Sequence, residues 1–306
     1  MRSATGDLCI GLIGFGAVGR SYASALLQAG VRLQVYNPAP RPETVAAATE
    51  MGIALHGELD ASVNACDLLL NAAPGSQALP LAKAAAPFLK PGALFADLSS
   101  AAPDDVRAAA ACFPAGAYVD VAILGAVSIH GHATPMLASG AGATTLQAML
   151  NPLGLVIDTL PDGRPGDATT LKLLRSILTK GLDALVIECL LVAESLGLRN
   201  ALLTSLADFD KSTFSELMAM YVRTHGPNAA RRQVEMQAVE AMLKDVDVPL
   251  MMTSATTRRY AHSVDVFSGA QPPAGAALDQ VDAETISWML AAERQSRKKA
   301  GTEPRD

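Results

Sequence analysis

The chain has 306 residues, half of them hydrophobic and 18% charged, with 24 basic against 30 acidic side chains and a formal net charge of −6. That exceeds one ordinary domain, supplies enough apolar material for a sizeable core and excludes global disorder. No basic stripe with interleaved aromatics occurs, so nucleic acid is not an expected partner; nor is a membrane, because the apolar run 182–193 is short and carries Asp183 and Glu188.

In chain order, residues 8–15 read as a strand, 17–29 as a helix, 31–36 as a second strand and 42–51 as a second helix. A helical stretch at 58–65 precedes a buried strand at 67–71, and a helix at 77–89 is stopped by Pro91-Gly92. Strands at 93–98 and 118–123 flank a helix at 103–111; strands at 134–139 and 155–159 flank one at 144–150. Short apolar runs alternating with helical patterns signal an α/β protein with a parallel, doubly wound sheet. Past the turn-rich segment 162–166 the pattern is helical alone, beginning with a proline-free run at 167–196. Further helices read at 199–208, 212–221, 227–244, 253–262 and 279–295. The expected organisation is a sheet domain over 1–163, an all-helical domain over 164–293 joined by the long helix, and a frayed tail over 294–306.

The four cysteines, Cys9, Cys66, Cys112 and Cys189, are far apart and form no CxxC. Free thiols in a reducing cytoplasm are expected. Residues 1–7 contain no apolar stretch, so no signal peptide is read there.

The run Gly14-Phe15-Gly16-Ala17-Val18-Gly19 sets a GxGxxG at the end of the first strand and the start of the first helix. There Gly14 permits a tight turn, Gly16 lets backbone approach a pyrophosphate, and Gly19 lets helix and strand pack closely. The helix start offers free N–H groups to phosphate. With the second strand closing a β-α-β unit, this is a Rossmann-type dinucleotide fingerprint rather than a plain glycine turn. An NAD site usually carries an acid at the end of that strand; this chain has Asn37, followed by Arg41. Asn37 does not repel a 2′-phosphate and Arg41 can pair with one, so NADP is expected over NAD. A turn-capping Asn37 and a solvated Arg41 are the plainer alternatives.

Three segments carry a family likeness: residues 11–19, Asp97-Leu98-Ser99-Ser100-Ala101-Ala102-Pro103, and Gly166-Asp167-Ala168-Thr169-Thr170-Leu171-Lys172. Together they resemble the β-hydroxyacid dehydrogenase and 6-phosphogluconate dehydrogenase superfamily. The likeness is closest to a bacterial subfamily with a divergent 6-phosphogluconate-dehydrogenase-like C-terminal domain. The resemblance implies an oxidoreductase with Lys172 as catalytic lysine, cofactor contacts through Ala72, Ala73 and Pro74, and a homodimer sharing its helical cores. Two departures stand out. The family's Asp-Ala-Pro-Val-Ser-Gly-Gly loop reads Asp120-Val121-Ala122-Ile123-Leu124-Gly125-Ala126 here, and Ser176 replaces an asparagine. Both fall where the family meets its substrate, so the substrate stays open.

Hydride chemistry on a secondary alcohol needs a group that handles the hydroxyl proton, and a desolvated lysine suits it. Lys172, Ser176 and Lys180 share one helix face. Lys180 reads as an alternative base or as the partner of Glu188. Ser99 and Ser100, at the carboxyl edge of the sheet, read as contacts to the nicotinamide ribose and the substrate, or as a strand-end turn with a helix cap. Leu124, Gly125 and Ser176 complete the substrate candidates. Arg231 reads as a clamp for a carboxylate-bearing small molecule, or as the surface partner of Glu235. His130 and His132 lack a third ligand nearby, so no metal is expected. The expected activity is NADP-dependent hydride exchange with a small hydroxy acid or its keto form. An imine reductase of the same fold and a non-catalytic NADP-binding regulator remain as alternatives.

Overall fold

The computed structural model describes residues 8–38, 40–268, 273, 281–299 and 301. Strands β1 (Cys9–Ile13), β2 (Arg32–Tyr36) and β3 (Leu55–His56) alternate with helices α1 (Ala17–Gln28) and α2 (Pro42–Glu50). Then come β4 (Leu68–Asn71), α3 (Ala78–Ala85), β5 (Leu94–Asp97), α4 (Pro103–Ala110) and β6 (Tyr118–Ile123). The short helix α5 (Val127–His130) leads to β7 (Met136–Ser139), α6 (Ala143–Leu150) and β8 (Ile157–Thr159).

The eight strands form one sheet in the order β3-β2-β1-β4-β5-β6-β7-β8. The chain runs outward from β1 to β3, then restarts at β4 on the other side, so the carboxyl ends of β1 and β4 frame a topological switch point. All pairs are parallel except β6–β7. The doubly wound parallel pattern that the sequence suggests is interrupted at that pair. The connection from Ile123 to Met136 holds only the α5 turn and an adjoining 3-10 turn, too little for a crossover that would carry the chain back along the strand.

Buried strands explain the apolar runs. Leu68, Leu69 and Leu70 are all buried because both faces are covered. Leu68 and Leu70 pack with Tyr22 and Leu26 of α1 and Leu146 of α6. Leu69 joins Ala78 and Ala82 of α3 and Val106 of α4 on the opposite face. Each fully buried leucine contributes roughly 1.5–3 kcal/mol of transfer energy.

Several expectations are corrected in detail. The helix read at 58–65 is a 3-10 turn, Ala61–Ala65, whose start is capped by Asp60 accepting from Ser62 N at 2.8 Å. The two-residue β3 and helix α5 lie where no element was read. Cys9 and Cys66 are free thiols with sulfurs 4.0 Å apart.

Contacts divide the chain into two compact units, Met1–Ile177 and Leu178–Asp306. The long helix α7 (Asp167–Ser195) starts in the first unit and ends in the second. The second unit continues with α8 (Arg199–Ser205), α9 (Phe214–His225), α10 (Ala229–Leu243), α11 (Met251–Phe267) and α12 (Ala283–Lys299). Residues 294–299, read as the start of a frayed tail, are helical; positions 300 and 302–306 of that tail lie outside the described residues. No helix among the described residues is long and apolar enough to cross a membrane.

Candidate functional site

The glycine turn forms for steric reasons visible atom by atom. Gly14 has φ of +89°, and a Cβ there would sit 3.1 Å from the Ala72–Ala73 backbone. A Cβ at Gly19 would lie 2.2 Å from the Gly14 carbonyl oxygen, so the first turn of α1 can rest on the strand end only with glycine. Gly16 has open space around it. As the N-cap of α1 it has no side chain to cap the helix, and the first turn holds no acid, so nothing competes with an incoming phosphate for these N–H groups.

A cleft of about 880 Å³ opens at this turn, formed wholly by residues of the first unit. That volume lies within the range of small-molecule and cofactor sites, roughly 300–1,000 Å³. One wall is Gly14, Phe15, Gly16 and Val18; another is Asn37 and Arg41; a third is Ala72, Ala73 and Pro74. Ser99, Ser100, Gly125 and Lys172 close the far end. Ala17 starts α1 beside the cleft without lining it. Thr44, Gly75, Gln77, Leu98, Ile123 and Val127 also line it and were not singled out in the sequence.

Asn71, at the end of β4, fixes the third wall: its Oδ1 accepts from Ala73 N at 3.1 Å while its Nδ2 donates to Asp97 Oδ1 at 3.1 Å. Asp97 also accepts from Ser99 N at 2.9 Å and from the Tyr118 hydroxyl at 2.7 Å. Burial first, and then the field of Asp97, raise the Tyr118 phenol far above its ordinary pKa, so it stays a donor. Gly75 passes so close to Ser100 that a Cβ would lie 2.6 Å from its backbone. Ser99 Oγ is buried in the wall with no partner, and such an orphan is costly unless a ligand satisfies it. A dinucleotide fits these residues: the glycine cradle admits backbone approach, and Ser99 leaves a hydroxyl to be met.

At the far end Lys172 Nζ donates to Ser100 Oγ at 2.9 Å. Burial lowers the pKa of this amine, and the negative field of Asp120 works in the opposite direction. Asp120 is itself buried, which raises its carboxyl despite the donors from Thr169, Gly166 and Ser139. Asp97 and Asp120 were quoted in the sequence only as motif members. Their signal is a charged residue inside the buried runs LFAD and YVDVAI.

Other candidates lie apart from this cleft. Ser176 turns its hydroxyl back onto the Lys172 carbonyl at 3.0 Å, and Leu124 donates its N–H to the Pro135 carbonyl at 2.8 Å; neither lines the cleft. Arg231, in the second unit, pairs with Glu235 on the surface. Lys180 is exposed, and Glu188 is not its partner; that carboxylate caps α11 by accepting from Met252 N at 2.6 Å and Thr253 N at 2.8 Å. His130 is exposed, and no cluster of three metal-ligating side chains occurs among the described residues.

Residues 9–157 match the NAD binding domain of 6-phosphogluconate dehydrogenase, and 193–263 match a domain of unknown function, DUF1932. A conserved protein of unknown function, reported as structurally similar to 3-hydroxyacid dehydrogenases, is 31% identical. That match covers 84% of this chain and 97% of the other, at a TM-score of 0.58. An uncharacterized 28.5 kDa protein of Methanothermus fervidus is 27% identical over 83% of this chain and 98% of its own length. At 18% identity, an imine reductase from Myxococcus stipitatus in complex with NADP+ shares the fold, with a TM-score of 0.68 over 92% of this chain and 99% of the other.

Proposed function

The chain belongs to the 6-phosphogluconate dehydrogenase and β-hydroxyacid dehydrogenase superfamily, and from that premise we propose that it is an NADP-dependent oxidoreductase exchanging a hydride with a small hydroxy acid or its keto form. The observation that carries this reading is the Lys172–Ser100 contact lining the same cleft as the glycine turn. Gly14, Gly16 and the first turn of α1 would hold the pyrophosphate, with Asn37 and Arg41 at the adenosine ribose and Ser99 near the nicotinamide ribose. The nicotinamide, when bound, supplies or accepts the hydride.

Lys172 handles the proton. Burial lowers the pKa of its amine below that of a free lysine, which eases the uptake and return of a proton. In the oxidative direction Lys172 Nζ takes the substrate hydroxyl proton; in the reductive direction it gives that proton back. Ser100 orients the amine and offers a hydroxyl to the same substrate oxygen.

The reading extends to a second copy of the chain. From Leu171 to Leu191 the apolar side chains of α7 point to all sides, and most of them are exposed in the single chain. A helix apolar all round is a buried helix, so we assign a homodimer in which the copies cover it.

The test is a panel of hydroxy acids, keto acids and cyclic imines assayed with NADPH or NADP+, for wild type and Lys172→Ala. Lys172→Ala is expected to cut kcat about 100- to 10,000-fold with cofactor affinity unchanged. Full activity of the variant removes Lys172 from the chemistry. Turnover of imines alone replaces the hydroxy-acid reading. Tight cofactor binding without turnover of any compound favours a regulatory protein.

A further inference from the structure

Asp97 and Asp120 are in-register neighbours on the parallel strands β5 and β6, each 1% exposed. Burying two carboxylates side by side costs several kcal/mol unless their oxygens are satisfied. Both are, and by different halves of the site.

Asp120 Oδ2 accepts from Gly166 N and Thr169 N, both at 3.0 Å, and from Ser139 Oγ at 3.2 Å. Its Oδ1 accepts from Thr169 Oγ1 at 2.6 Å. Ser139 Oγ in turn accepts from Ala168 N at 3.0 Å. Apart from the Ser139 hydroxyl of β7, the donors to Asp120 belong to the start of α7, where backbone N–H groups have no partner within the helix. A carboxylate at that positive end is favoured, and as a pure acceptor it can take all of these donors. Lys172 stands one turn further along the same helix. Asp97 holds the other partner: it accepts from Ser99 N, fixing the turn that presents Ser100, and from Asn71 and Tyr118.

We propose that Asp97 and Asp120 are paired positioning residues that set the Lys172–Ser100 contact, Asp120 through the helix that carries the lysine and Asp97 through the loop that carries the serine. This rests on the reading of Lys172 as the acid/base. The charge of Asp120 has a second role, since its field opposes the lowering of the Lys172 pKa by burial. Around Lys172, its own helix carries Asp167 and Arg175. Strand β5 carries Asp97, already shared among three donors, followed by the neutral Ser99 and Ser100. Arg41 lies beyond the end of β2, three strand spacings from β5, or roughly 14 Å.

Asp120→Asn separates charge from shape, because the amide keeps an acceptor oxygen in the same volume. Limited acetylation of Lys172 as a function of pH, read by peptide mass spectrometry, reports its protonation without any need for turnover. Asp120→Asn is expected to move the labelling midpoint down by about one pH unit, and the alkaline limb of kcat/KM with it. Asp120→Ala and Asp97→Ala remove the two supports and are expected to lower kcat about 10- to 100-fold, with the cofactor dissociation constant at its wild-type value in Asp120→Ala and raised in Asp97→Ala, which also frees Asn71 and Ser99 of the cofactor wall. Should either alanine variant fail to fold, Thr169→Val, which removes one hydroxyl donor, carries the kinetic arm with a smaller loss. An unmoved labelling midpoint in Asp120→Asn, or wild-type kcat in the folded support variants, overturns the proposal. Activity retained by Lys172→Ala instead overturns the acid/base reading, and the labelling result still decides the role of Asp120.

Discussion

In the first unit Leu68, Leu69 and Leu70 are at most 1% exposed, whereas in the second Leu182, Leu185 and Ile187 stand about half open. Beside these open side chains Glu188, next to Ile187, is buried. A sheet with helices on both faces closes its own apolar core without help. The second unit leaves apolar side chains of α7 open in the single chain, and the proposed second copy would cover them. Its buried acid is a local matter, because Glu188 spends both oxygens on the first turn of α11. Its bare leucines would be, on the dimer reading, a matter of assembly.

The largest effect that would break this comparison comes from Ile187→Glu. A lone chain would barely notice a charge at a site 54% exposed, within about 0.5 kcal/mol. If a second copy covers the helix, the variant runs as a monomer in light scattering, melts about 10 °C lower, and loses the dependence of its melting point on protein concentration. An unchanged dimer and an unchanged melting point would mean that this face of α7 is bare in solution.

A smaller effect is expected at the neighbouring position. Glu188→Gln keeps the volume but weakens the cap on α11, at a cost of about 1–2 kcal/mol in chemical denaturation. Burial tends to raise the Glu188 carboxyl, but the bonds from Thr253 and the Met252 backbone outweigh it and hold its pKa below the ordinary 4.5. A lowered folded-state pKa means that the contribution is complete above about pH 4.5 and is lost as pH falls through the folded value. Wild type and variant should therefore differ in stability at pH 7 and converge in acid. A constant difference at every pH would place the role of Glu188 in its shape and not its charge.

What could be read in the sequence follows the same division. The glycine turn and the main strands were legible because each rests on a local pattern that the first unit satisfies by itself. The strand β3 was not, since two residues paired to Val35 and Tyr36 carry no period. Helix α5 was not, as four residues hold barely one turn. The place of Lys172 in the cleft was legible through resemblance, while the grip of Asp120 on Gly166 and Thr169 joins residues 46 and 49 positions apart, which no spacing rule reaches. Glu188 was matched with Lys180 because helical proximity is visible in sequence; its real partners lie 64 and 65 residues away.

The smallest effect sharpens the comparison from the first unit's side. Arg41 lines the cleft, yet its side chain is 82% exposed and lies 3.4 Å from Glu43. An exposed guanidinium that already has a carboxylate nearby adds about 1 kcal/mol to a phosphate contact, not the several that a buried fork would. Arg41→Ala should thus weaken NADPH roughly fivefold to tenfold and leave NADH unchanged, as measured by fluorescence titration. Equal losses for both cofactors would remove Arg41 from 2′-phosphate recognition. The absence of an acid at Asn37 would then be the only feature favouring NADP, and it favours by not repelling. A loss of a hundredfold would mean that the bound cofactor draws Arg41 away from Glu43 and out of water. In either case the melting point should hold, because the effect stays inside a unit that already closes its own core.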